Sequence, residues 1–146
     1  MQSGFLIPAV AHVIQMSVAP VFLLTGVGAI INVLTNRLSR IIDRARILEA
    51  RLPNVEDTEQ KTLRRELANL ARRSHLIHWA ICLCTICALL VCIVIATLFV
   101  GAFWAVDVST FIGLLFIVAM LTLIGGLLGF LWEITLATAS VRIGMR

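Results

Sequence analysis

Long apolar runs and short charged stretches alternate along the chain. The apolar runs cover about Ala11 to Val33, Ile77 to Phe99 and Ser109 to Leu131, each 23 residues long. From Gly4 to Asn36 and from Leu76 to Leu131 the only charged residue is Asp107. As a helix, a run of that length spans about 35 Å, against a hydrocarbon thickness of about 30 Å, so each predicts a transmembrane helix with some tilt. Nothing in the runs alternates with period two, as a membrane β-strand would. Helices are then the spanning form that satisfies its own backbone polar groups. No Lys or Arg precedes Arg37, and the first run is longer than the apolar core of a leader, so it reads as a retained span.

Between the first two runs, residues 35–75, the apolar positions change spacing. Leu34, Leu38, Ile41, Ala45, Leu48 and Leu52 advance by alternating steps of four and three. On the way back Leu63, Leu67, Leu70, Ser74 and Ile77 do the same, with Ser74 the one polar member. Such spacing makes a coiled-coil seam. The break between the two segments, Pro53-Asn54-Val55-Glu56-Asp57-Thr58, is rich in residues that stop or cap helices. The pattern therefore predicts an antiparallel helical hairpin that extends helices 1 and 2 beyond the bilayer. The expected fold is an all-α integral membrane protein, one membrane domain over residues 1–146, with three transmembrane helices.

Charge sets the orientation. The stretch from Arg37 to Arg73 holds ten Lys and Arg, the C-terminal tail adds Arg142 and Arg146, and the N-terminal segment and the loop from Gly101 to Val108 hold none. By the positive-inside rule the hairpin and C-terminus are cytoplasmic and the N-terminus is outside. Trp79 and Trp132 fall at the inner interface and Trp104 at the outer one, where amphipathic rings concentrate. The composition, 60% hydrophobic and 14% charged with a mean hydropathy of +1.03, agrees. The pI of about 9.4 needs no nucleic acid to explain it. Arg37, Arg40, Arg44, Arg72 and Arg73, at the base of the hairpin, are expected to meet anionic lipid headgroups or a partner.

Helix 1 also carries polar residues away from its apolar seam. With His12 at 0° and about 100° per residue, Thr25, Gly28, Asn32, Thr35, Asn36, Ser39, Asp43 and Arg46 fall between about 140° and 240°. The seam from Leu34 to Leu52 lies between about 0° and 80°. Polar side chains within a span normally face protein or a water-filled cavity. Either helix 3 covers this stripe, or helix 1 packs around an oligomer axis and the stripe lines an interface or pore. Helix 3 suits close packing through Gly125, Gly126 and Gly129. Pro20, in mid-span, predicts a kink.

Candidate chemistry is thin. Cys82, Cys84, Cys87 and Cys92 lie on helix 2, and the Cys84/Cys87 pair has C-x-x-C spacing but sits inside an apolar helix, where cysteine is soft packing material. His75 and His78 are one turn apart without a third ligand. Glu133 is expected to pair with Arg37 or Arg40 and anchor helix 3. No catalytic residue, metal or cofactor is expected.

The run Ala19-Pro20-Val21-Phe22-Leu23-Leu24-Thr25-Gly26, continuing through Asn32-Val33-Leu34-Thr35-Asn36-Arg37-Leu38 to Asp43-Arg44-Ala45-Arg46, resembles a bacterial family of small membrane proteins catalogued as domain of unknown function 2721. Arg72-Arg73 and the run Gly125-Gly126-Leu127-Leu128 before Glu133 extend the likeness over nearly the whole chain. The resemblance implies a bacterial inner-membrane location and no assigned activity. The first functional reading is a homo-oligomer with helix 1 facing the axis, as a channel or pore. The alternative is a non-enzymatic accessory or scaffold subunit whose basic hairpin docks another membrane protein or anionic lipid.

Overall fold

A computed structural model describes the backbone of residues 3–104 and 107–143 and the side chains of residues 10–104 and 107–137. Arg146 and the side chain of Arg142 lie outside the described residues. The described chain is all helical: α1 (Ser3–Arg51), a 3-10 turn (Leu52–Asn54), α2 (Asp57–Trp104) and α3 (Ser109–Ile143). Three helices are long and apolar enough to cross a membrane, as the three runs predict.

The helix ends follow local chemistry. Pro53, which cannot continue an α-helix, falls in the 3-10 turn, and Val55 is extended. Asp57 and Glu59 occupy the first turn of α2, where negative charge suits the exposed N–H groups. The Glu56 carbonyl accepts from the N–H groups of Glu59 and Gln60, both at 3.0 Å. Gln60 also closes the turn: its Nε2 donates to the carbonyls of Leu52 and Val55, each at 3.3 Å. At the start of α3, Asp107 Oδ1 accepts from Ser109 Oγ at 2.6 Å and from Ser109 N at 3.1 Å. Those two bonds hold the Asp107 carboxyl below the usual aspartate range. Helix α1 runs on through Pro20 unbroken.

The chain divides into two compact units, Met1–Ile30 with Leu83–Ile124, and Ile31–Cys82 with Gly125–Arg146. The first buries small groups: Val13, Ser17 and Val27 from α1, Cys84, Cys87, Val91 and Val94 from α2, and Ala119 from α3. Ser17 Oγ donates to the Val13 carbonyl at 2.8 Å, so the buried hydroxyl has a partner. The second buries Leu34, Ile41 and Leu48, then Leu70, Ile77 and Ala80, together with Glu133. Every seam residue expected from the spacing, Leu34 to Leu52 and Leu63 to Ile77 with Ser74 included, is buried or half-buried.

The same spacing runs further than residues 35–75. On α1 the buried residues Val13, Val27, Leu34, Ile41 and Leu48 lie on one seven-residue repeat, with Pro20 half-buried at the missing step. Leu70, Ile77, Cys84 and Val91 repeat in the same way on α2. On α3 the repeat is Ala119, Gly126 and Glu133, all buried. Each helix thus has one covered row that repeats every seven residues.

Candidate functional site

Glu133 is the one acidic residue on the covered row of α3, and its side chain is 0% exposed. Burying a carboxylate costs several kcal/mol, on the order of what only close, hydrogen-bonded counter-charges offset. Two arginines supply them. Arg37 Nη1 of α1 donates to Oε2 at 2.8 Å. Arg73 of α2 donates to Oε1 through Nη2 at 2.8 Å and Nε at 3.1 Å. The Arg37 guanidinium also lies over the Phe130 ring, 5.2 Å from its centroid, a cation–π contact from the same helix as Glu133. One carboxylate therefore pins side chains from α1, α2 and α3 within the second unit.

This geometry settles part of what the sequence proposed. Arg37 does pair with Glu133; Arg40 does not, and is exposed. Arg73, placed from sequence with the headgroup-facing arginines, is instead the second partner of Glu133. Arg44, assigned to the same surface, pairs with Glu66 at 2.7 Å. That contact is largely solvated, with the two side chains 67% and 41% exposed, so it contributes little to stability. Among the described residues, Arg40 and Arg72 are exposed and form no ion pair. A signal for Arg73 was present in the sequence. It stands three residues after Leu70 and four before Ile77, on the covered row, where the spacing argument had placed Ser74.

The polar stripe of α1 is uncovered. Thr25, Gly28, Asn32, Thr35, Asn36, Ser39 and Asp43 are all exposed. A Cβ added at Gly28 would meet nothing within 4 Å. The expectation that helix 3 covers the stripe is therefore not met among the described residues. Exposure also sharpens the pattern: Val21, Thr25, Gly28, Asn32, Thr35, Ser39, Ile42, Arg46 and Glu49 are all exposed and advance by alternating steps of four and three. This is a second row with seam spacing, about 100° round the helix from the covered one.

Its polar groups differ in how far they are satisfied. Thr25 and Thr35 donate to the carbonyls of Val21 and Ile31, at 3.2 and 2.8 Å, and Ser39 to that of Asn36 at 3.0 Å. Such back-bonding lets a hydroxyl face an apolar medium at small cost. The two amides have less: Asn36 Nδ2 donates to Asn32 Oδ1 at a long 3.5 Å. An amide offers two donors and a two-lone-pair acceptor, so Asn32 and Asn36 keep most of their capacity open. Over residues 42–49 the row borders a groove of about 540 Å³, lined by Ile41, Ile42, Ala45, Arg46 and Glu49 of α1 and by Leu67, Ala68, Leu70, Ala71 and Ser74 of α2. Arg46 and Glu49, on its rim, form no ion pair among the described residues.

On α3, a Cβ added at Gly129 would lie 3.9 Å from Ala80 Cβ, ordinary contact, while Gly126 is buried and Gly125 half-buried. These glycines belong to the covered side of the helix. Cys84 and Cys87 are free thiols on the covered row of α2. The histidines face their own helix: Trp79 Nε1 donates to His75 Nε2 at 2.9 Å, and Cys82 Sγ lies 3.7 Å from His78 Nε2. No group of three or more metal-ligating side chains gathers among the described residues.

Comparison with curated proteins and with solved structures found no match. One family model does match, over residues 17–143, a range that takes in the exposed row, both arginines and Glu133. The chain belongs to that family, described as protein of unknown function (DUF2721).

Proposed function

We propose that the chain is a multi-pass protein of the bacterial cytoplasmic membrane that assembles with copies of itself, the exposed row of α1 facing the oligomer axis and lining a path for ions or a small solute. The N-terminus lies outside, and the basic arms of α1 and α2 form an antiparallel cytoplasmic hairpin. The distribution of Lys and Arg supports that sidedness.

One observation carries the reading. A row with the spacing of a helix–helix seam, from Val21 to Glu49, has no cover among the described residues. Small and polar residues on it, Thr25, Gly28, Asn32, Thr35 and Ser39, are those that let helices approach closely in lipid and bond across the contact. Asn32 lies five residues inside Arg37, about 7 Å along the helix. An open amide at that depth is costly against lipid and inexpensive against protein or water. At the arm end, an apolar groove with one cation and one anion on its rim suits the arm of a second copy, whose rim carries the same pair.

The mass of the detergent-solubilised particle tests assembly, and liposome flux tests the path. Wild type is expected to run as an oligomer and to conduct. Asn32→Leu is expected to conduct at least tenfold less. A monomeric wild-type particle would sink the proposal. An oligomer with background flux in both proteins would leave the interface and remove the path. A monomer that co-purifies with a different protein at fixed stoichiometry would favour an accessory subunit docked through its basic arms.

A further inference from the structure

The cluster at Glu133 is not neutral. Two guanidiniums meet one carboxylate, so one positive charge is left over. Arg37 is the more open of the two, 41% exposed where Arg73 is 27%. Arg37 is held from one side, by Glu133 through Nη1 and by the Phe130 ring. A guanidinium has five N–H donors in a rigid fork, so Arg37 offers a fixed set of unused donors on its open side. One turn further along α1, Arg40 is exposed and without an ion pair among the described residues. Residues three apart on a helix are neighbours, about 5–6 Å between Cβ atoms. The level is also informative. Arg37 is the first charged residue after the apolar run of α1, and Trp132, next to Glu133, is 63% exposed. Indole rings concentrate where headgroups begin.

We infer that Arg37 and Arg40 form a site for the phosphate of an anionic phospholipid of the inner leaflet. Arg37 is pre-organised by Glu133 and Phe130, and Arg40 supplies the second cation. Pre-organisation matters because ordering a flexible side chain is part of the cost of binding, and at Arg37 that ordering has already occurred on folding. Glu133 has two roles here: it joins three helices, and it aims one arginine. A lipid rather than a free anion is the occupant because the site sits where the apolar run ends, so acyl chains can lie along α1 while the phosphate meets the arginines. This inference rests on the membrane reading above and does not require an oligomer.

The test is a titration of the full chain in neutral detergent micelles with a fluorescent phosphatidylglycerol, against phosphatidylcholine of the same chain length. Phosphatidylglycerol is expected to bind at least tenfold more tightly. Arg40→Gln, an exposed change, is expected to weaken it five- to tenfold with the melting temperature nearly unchanged. Arg51→Gln, exposed at the far end of α1, is expected to leave it alone. Equal binding of the two lipids overturns the site. So does an equal loss in Arg40→Gln and Arg51→Gln, which would describe a diffuse basic field. Displacement of the lipid by millimolar inorganic phosphate would overturn the choice of a lipid. Carbonate washing of cell membranes separates the two failures: extraction of the chain sinks the membrane reading, whereas retention without lipid preference sinks this site alone.

Discussion

The two compact units are held together by different means. Within the unit of Met1–Ile30 and Leu83–Ile124, buried contacts come from Val13, Val27, Cys84, Cys87, Val91, Val94 and Ala119, with no ion pair among the described residues. The other unit has larger apolar groups, Leu34, Ile41, Leu48 and Ile77, and a buried, doubly paired carboxylate. The contrast fits the proposed insertion, with the first unit within the bilayer and the second at and beyond its inner edge. Among lipid tails, burying an apolar side chain gains little, so close contact between small groups has to hold the helices. Where water is near, apolar burial drives association, and a buried ion cluster adds direction.

The sharpest way to break this contrast is Glu133→Gln. It removes the charge that two arginines share, and a broken buried pair typically costs about 3–5 kcal/mol. Arg37 and Arg73 are partly exposed and can turn to water, so the low end, about 3 kcal/mol, is expected, read as a drop in thermal stability in detergent. An unchanged melting temperature would show that the cluster contributes nothing. Next come the apolar contacts. Leu34→Ala, at a fully buried site of the second unit, is expected to cost about 2–4 kcal/mol. Val91→Ala, equally buried in the first, removes fewer methyl groups and is expected to cost about 2 kcal/mol or less. A larger loss for Val91 would mean that the small-group packing is the more critical of the two.

Arg44→Gln probes a charge pair of the opposite kind. Its expected cost is under about 1 kcal/mol and vanishes in high salt, whereas the Glu133 cluster is expected to be salt-insensitive. The smallest effect is expected at Asp107, exposed at the start of α3. Its carboxyl is held below the ordinary range by Ser109, so its contribution is present above the unfolded aspartate value, about 3.9, and is lost as pH falls through the lower folded value. Asp107→Asn should therefore melt slightly below wild type at neutral pH, and the two should converge in acid. A gap that widened in acid would exclude the cap as its cause.

Much of this was legible in the letters. The three long apolar helices, the turn at Pro53 and the seam from Leu34 to Leu52 follow from spacing, and the pairing of Glu133 with Arg37 or Arg40 from position. What spacing could not supply was the face of a helix that is apolar all round. On α3 no side is more hydrophobic than another, so nothing marked Ala119, Gly126 and Glu133 as one covered row. The same uniformity hid the continuation of the α1 seam to Val27 and Val13. Arg73 was missed because a charged residue on a seam reads as a surface residue until its partner is known. Where the polar stripe faces was legible; whether anything covers it depended on α3, and so was not.

The covered and exposed rows of α1 are one residue out of phase: Leu38, Ile41, Ala45 and Leu48 are each followed by Ser39, Ile42, Arg46 and Glu49. A deletion of one residue from the start of the arm, Asn36 for instance, would turn everything beyond it by about 100° and put the second set where the first had been. Removing seven residues on each side of the turn at Pro53 would leave both sets in phase and merely shorten the two helices. Natural variation in the length of this chain's arms is therefore expected in multiples of seven, matched on the two sides of the turn.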